Sequence, residues 1–355
     1  MVQIDRAVFE DLIRGKSRGI AASLARAGLG MAAVPYRIAV VARNLAFDRG
    51  WKQIHRSSIP VVSVGNLTLG GTGKTPMVEW VARWYRRRGV RVALISRGYG
   101  QSEGLNDEGQ VLDENLPDVP HLQDPDRVAM ARIAAEELES ELIVLDDGFQ
   151  HRRLARDVDI VLLDALEPFG YRRIFPRGLL REPLHSIRRA SIVVLSRADL
   201  ISTPERAAIH ADVERYAGSR QLRWAEAHHA PIDLVDCDSN SEPIEGLKGR
   251  KVVAFCGIGN PEGFRRTLEP LCNELIDLKT FPDHHLYNAR DVDLLRDWAA
   301  QSGADLVLTT QKDLVKLRTS SLGKIPLRAL RIGLEVLEGE ADLEAVLAPL
   351  LPSTS

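Results

Sequence analysis

Residues 59–75 read I-P-V-V-S-V-G-N-L-T-L-G-G-T-G-K-T, and Pro76 follows. An apolar run, a glycine-rich turn and a lysine–threonine pair opening a helical pattern form the strand–loop–helix of a phosphate loop. The standard pattern is G-x-x-x-x-G-K-[ST], and Thr68 stands where its first glycine belongs. Gly70, Gly71 and Gly73 let backbone N–H groups converge on phosphate oxygens. Lys74 supplies a charge for the β and γ phosphates, and the Thr75 hydroxyl is a ligand for Mg²⁺. Pro76 fits the first turn of a helix, where its missing N–H costs little. The expected nucleotide-contacting set is therefore Thr68, Leu69, Gly70, Gly71, Thr72, Gly73, Lys74 and Thr75.

Outward from this loop the chain alternates. Apolar runs rich in Val, Ile and Leu occur at Val90–Ser96, Leu142–Asp146, Ile160–Asp164, Ile192–Ser196, Val252–Cys256 and Leu306–Thr309. Such runs suit strands covered on both faces of a parallel sheet. Helical patterns lie between them at Pro76–Arg88, Arg127–Glu139, Pro204–Tyr216, Pro261–Glu269 and Ala289–Gln301. The alternation predicts an α/β fold, a P-loop NTPase-like, mostly parallel sheet with helices on both faces. A polar, turn-rich stretch near residues 230–250 divides the chain. The expected organisation is an N-terminal amphipathic segment over residues 1–52, a P-loop domain over 53–235 and a smaller C-terminal α/β lobe over 236–355.

The composition excludes several classes. A net charge of −2 gives no reason to expect nucleic acid. Cys237, Cys256 and Cys272 form no C-x-x-C pair, which argues against a zinc knuckle or a disulfide framework and for a reducing compartment. No protein partner is implied. The N-terminal region lacks the order of a signal peptide. Its longest uncharged run, Ala27 to Tyr36, is shorter than the ~20 residues that a bilayer span needs. Ile20, Leu24, Met31, Val34, Ile38, Val41 and Leu45 fall on one helical arc, and Arg18, Arg26, Arg37 and Arg43 on another. Pro35 sits within this pattern and puts a kink in question. An apolar face with a basic rim suits a membrane interface; the alternative is a helix packed on the protein's own core.

The run Leu142–Leu145 ends in Asp146-Asp147-Gly148-Phe149-Gln150-His151. A carboxylate at the end of an apolar strand is the Walker-B arrangement for Mg²⁺. Two adjacent carboxylates imply two tasks, so Thr75, Asp146 and Asp147 are the candidate metal ligands, with the choice between the aspartates open. Ser196-Arg197-Ala198-Asp199 resembles the base-reading stretch of GTPases. A membrane-associated NTPase switch therefore stands as the competing reading.

The combined motifs V-G-N-L-T-L-G-G-T-G-K-T-P, S-R-G-Y-G (96–100), L-D-D-G-F-Q-H (145–151), P-R-G-L-L-R-E-P (176–183), F-P-D-H-H (281–285) and T-T-Q-K-D (309–313) resemble the tetraacyldisaccharide 4′-kinase family of Gram-negative bacteria. The resemblance implies ATP- and Mg²⁺-dependent phosphorylation of a membrane glycolipid, a tetraacylated glucosamine disaccharide phosphate, at its 4′-hydroxyl. It implies a peripheral enzyme on the cytoplasmic face of the inner membrane, held through the N-terminal helix. It also implies an Asp–His base dyad, carried here by Asp107, within Asn106-Asp107-Glu108-Gly109, and His284. Arg181 would neutralise charge on the moving phosphate. Arg97, Tyr99, Glu108, Gln150 and His151 would meet the acceptor. Thr309, Thr310, Lys312 and Asp313 belong to the signature without an assigned role.

Overall fold

A computed structural model describes residues 6–98 and 107–352. The chain forms two compact units. One comprises Met1–Arg97, Pro120–His228 and Glu335–Ser355; the other comprises Gly98–Val119 and His229–Leu334. Residues 98–119 and 335–355 thus cross the linear division expected near residue 235.

The first unit contains strands β1 (Val61–Asn66), β2 (Val92–Ser96), β3 (His121–Gln123), β4 (Leu142–Asp146), β5 (Val158–Asp164), β6 (Ile192–Ser196) and the start of β7 (Arg223–Val235). They run in the order β7-β6-β5-β1-β4-β2-β3, with every neighbouring pair parallel. β1 and β6 are buried along their whole lengths, as expected of strands sheltered on both faces. The flanking helices include α3 (Lys74–Arg86), α5 (Arg127–Glu136), α6 (Thr203–Ala217) and α10 (Glu340–Leu347). Local chemistry sets their ends. Asp126 caps α5 by accepting from Val128 N and Ala129 N, and a Ser202/Glu205 capping box opens α6.

Two further helices precede the sheet: α1 (Arg6–Arg14) and α2 (Ile20–Asp48). Pro35 lies inside α2, which continues through it as one 29-residue helix, about 44 Å long at 1.5 Å per residue. The arc expected from the sequence is the exposed one: Ile20, Leu24, Met31, Val34, Ile38, Val41 and Leu45 all face outward. Val40, Asn44 and Phe47 are buried on the opposite side. The expected basic rim is only partly present. Arg18 and Arg37 are exposed, but Arg26 bonds Ser17 O at 2.7 Å and Arg43 turns to Glu182 at 3.3 Å.

Glu182 fastens α2 to the unit. It is fully buried and accepts from Asn44 Nδ2 at 2.7 Å and Arg189 Nη1 at 2.9 Å. Burial pushes its pKa up, but Arg189, Asn44 and Arg43 together hold it below the ordinary carboxylate value. Arg152 adds bonds to Asn44 O and to Asp48.

The second unit contains α4 (Asp107–Asn115), the end of β7, β8 (Ser241–Pro243), β9 (Lys251–Cys256), α7 (Pro261–Leu268), β10 (Glu274–Thr280), α8 (Ala289–Ser302), β11 (Leu306–Thr310), α9 (Gln311–Leu317), β12 (Ser321–Leu322) and most of β13 (Ile325–Glu338). The order β10-β9-β11-β13 is parallel throughout. Alternation along β9 divides two cores: Val252, Ala254 and Cys256 pack with Phe264 and Leu268, whereas Val253 and Phe255 pack with Leu295 and Leu314.

Candidate active site

The phosphate loop leaves the carboxyl end of β1 and enters α3. Gly70 and Gly73 adopt φ values of 111° and 83°, left-handed conformations that a side chain would strain. Thr68 does not share them. It forms an antiparallel bridge with Leu180, and Leu69 N donates to Leu179 O at 2.7 Å. Its place is extended backbone, so a β-branched residue suits it and no glycine is needed there.

Side chains brace the loop from below. Asn66 Nδ2 donates to Thr72 Oγ1 at 2.9 Å, and Ser196 Oγ donates to Thr72 O at 2.8 Å. Arg197 pairs with Asp164 and reaches Gly71 O at 3.2 Å. The Ser196–Arg197 pair, part of the stretch that resembles a base reader, thus holds the loop. Asn66 and Asp164 were not singled out in the sequence; each ends a buried strand.

Lys74 and Arg181 converge on one carboxylate. Lys74 Nζ lies 3.7 Å from Asp147 Oδ1, and Arg181 Nη1 lies 2.8 Å from both Asp147 oxygens. Burial raises the Asp147 pKa, but Lys74 and Arg181 outweigh it and hold the group ionised, with Arg127 adding to them. Gln150 links two parts of the site by donating to Asn66 O at 2.9 Å and accepting from Arg181 at 3.3 Å. Arg127, buried at the start of α5, is a cation that sequence reading passed over because it reads as part of a helix.

Of the two adjacent aspartates, Asp147 pairs with the two cations. Asp146 ends β4, in register with Val64 of β1. Among the described residues no three His, Cys, Asp or Glu side chains converge on a metal-sized point. One carboxylate and one hydroxyl, both hard oxygen donors, nevertheless fit Mg²⁺, which takes few protein ligands and completes its shell with phosphate and water.

The remaining expected residues divide. His151 is half-buried, and burial together with Arg127, Arg153 and Arg156 lowers its pKa to about 4. It is neutral at physiological pH. Arg97 is exposed just beyond β2. Tyr99 lies outside the described residues. Asp107 and Glu108 open α4, and their side chains also lie outside the description. His284 belongs to the second unit, at φ 59° and with its side chain 61% exposed. Its neighbour His285 is committed elsewhere, 3.0 Å from Asp291 and stacked on Phe281.

Comparison with known proteins points to one family. Residues 25–351 match the family described as tetraacyldisaccharide-1-P 4′-kinase. A tetraacyldisaccharide 4′-kinase of Anaeromyxobacter dehalogenans is 42% identical over 346 residues, covering 92% of this chain and 91% of the relative. One from Geobacter sulfurreducens is 38% identical over 358 residues, covering 96% and 98%. The crystal structure of LpxK from Aquifex aeolicus in complex with ATP superposes with a TM-score of 0.74 at 31% identity, covering 92% of this chain and 99% of that one. The chain belongs to the tetraacyldisaccharide 4′-kinase family.

Proposed function

We propose that this chain binds ATP on residues 68–75 and transfers its γ-phosphate to the 4′-hydroxyl of a tetraacyldisaccharide 1-phosphate, giving the 4′-phosphorylated lipid A precursor. The observation that carries the reading is the meeting of Lys74 and Arg181 on Asp147 beside the N-terminus of α3. Phosphoryl transfer needs positioning and charge stabilisation more than covalent help. Loop N–H groups and the α3 dipole hold the β and γ phosphates. Lys74 and Arg181, poised on a carboxylate, are placed to meet the charge that spreads over the transferring group. Thr75 and Asp146 would hold Mg²⁺, which would supply charge neutralisation to the phosphates. The acceptor hydroxyl attacks the γ phosphorus, its proton passes to Asp107 with His284 as partner, and ADP leaves.

The acceptor is a membrane lipid, and α2 is built to reach one. By length and composition α2 could cross a bilayer. Its C-terminal half, however, is fastened to the unit through Asn44 and Phe47. The exposed stripe therefore favours a helix lying in a membrane interface. Trp51, 70% exposed just beyond the helix, suits the headgroup region.

The test is label transfer from [γ-³²P]ATP to a tetraacyldisaccharide 1-phosphate. The wild type should label the lipid. Lys74→Ala should lower kcat by a factor of about 100 or more. Acceptor-independent release of phosphate by the wild type would instead favour the NTPase switch.

A further inference from the structure

We propose that Asp313, in the signature T-T-Q-K-D, is the positioning residue of His284. The proposal rests on the reading of His284 as partner of the base.

Asp313 has no solvent exposure, yet every hydrogen-bond donor found on it among the described residues is neutral. Its Oδ2 accepts from Gly257 N at 3.0 Å and from Thr310 Oγ1 at 2.7 Å. Its Oδ1 accepts from Tyr287 Oη at 3.0 Å. Burying a carboxylate without a cation is costly, and three such bonds offset that cost. An apolar residue there would leave Gly257 N and Tyr287 Oη without this acceptor, so the carboxylate has a task in holding them.

That task is the arch of residues 281–287. Gly257 and Tyr287 sit at its two flanks, and both are bonded to the one carboxylate. Gly257 O in turn accepts from His284 N at 3.0 Å, and Phe281 N bonds Cys256 O at 2.8 Å. A Cβ on Gly257 would come within 3.1 Å of Asp313 Oδ1 and 3.2 Å of His285 Cβ, so the approach is already at its limit. Within the arch, Phe281 stacks on His285, and Tyr287 meets Phe255 and Phe281 edge to face. Burial, followed by the nearby Asp313 charge, pushes the Tyr287 phenol far above its ordinary pKa, so it stays a donor. The residue lifted outward is His284, in a left-handed conformation that is uncommon for a residue with a β-carbon. One hydrogen bond ties the Asp313 carboxylate to Gly257, the residue whose carbonyl accepts from His284 N.

Asp313→Asn and Tyr287→Phe, each made alone and with His284→Ala, test this on the full chain. Each single variant should lower kcat about ten-fold with little change in the KM for ATP, and should have no further effect once His284 is alanine. The His284 ring resonance, assigned through His284→Gln, should move in Tyr287→Phe, the milder change and the one expected to keep the wild-type melting temperature. An unmoved resonance in a folded Tyr287→Phe overturns the positioning role. So does an equal loss of kcat with and without His284. A moved resonance beside an unimpaired His284→Ala enzyme would leave the positioning intact and overturn the base reading instead.

Discussion

At Asp146 and Asp147, adjacent and chemically identical residues are separated by their surroundings. Asp147 adopts φ 49°, a turn off the end of β4 that delivers its carboxylate to Lys74 and Arg181. Asp146 stays in the strand register. Asp146→Asn should therefore raise the Mg²⁺ concentration for half-maximal rate by a factor of about 10–100, whereas Asp147→Asn should lower kcat with a smaller change in Mg²⁺ requirement. A magnesium titration of both variants decides it, and equal shifts would remove the distinction. The sequence could place both carboxylates at a strand end, because an apolar run followed by Asp-Asp-Gly is a local pattern. It could not separate them, because the partner Arg181 lies 34 residues away. Thr68 carries a similar lesson. Its bridge to Leu180 explains the missing glycine, and no reading of the loop alone contains that contact.

Among the elements, those with strong patterns were legible. β4 and β6 begin and end where their apolar runs do, and the helices α5, α7 and α8 start at the expected residues. Six strands escaped: the short β3, β8 and β12, and the longer β7, β10 and β13. β10 is largely exposed at the end of its strand order, so it carries no apolar run to notice. β7 and β13 are 13 and 14 residues long and mix charged with apolar positions, which blurs a period of two. For α2 the pattern of exposure was legible, but its attachment was not, since Glu182 is 138 residues from Asn44. If the stripe docks on lipid, Leu24→Glu and Ile38→Glu should each weaken sedimentation with anionic phospholipid vesicles about ten-fold or more, from the lost burial of one large side chain. They should leave the melting temperature alone, because both residues already face solvent. Unchanged sedimentation would return α2 to an ordinary surface helix.

For the molecule as a whole, acid sensitivity follows from buried groups in the first unit. His151 has a pKa of about 4 in the fold and about 6.5 when unfolded. Below pH 6.5 the unfolded chain takes up a proton that the folded one refuses. The stability tied to His151 is thus complete above pH 6.5 and is lost as pH falls towards 4. Asp147 and Glu182, both held below ordinary carboxylate values, act in a lower window. Urea melts across pH 4–7 should show a flatter profile for His151→Gln than for the wild type; parallel profiles would refute the assignment. Arg181 and Glu182 give a last consequence. The first grips the carboxylate at the phosphate loop, and the second grips α2. Tyr36 of α2 also bonds Arg181 O at 3.3 Å. With one peptide bond between the two grips, any shift of α2 against the sheet would be passed to the Arg181 guanidinium.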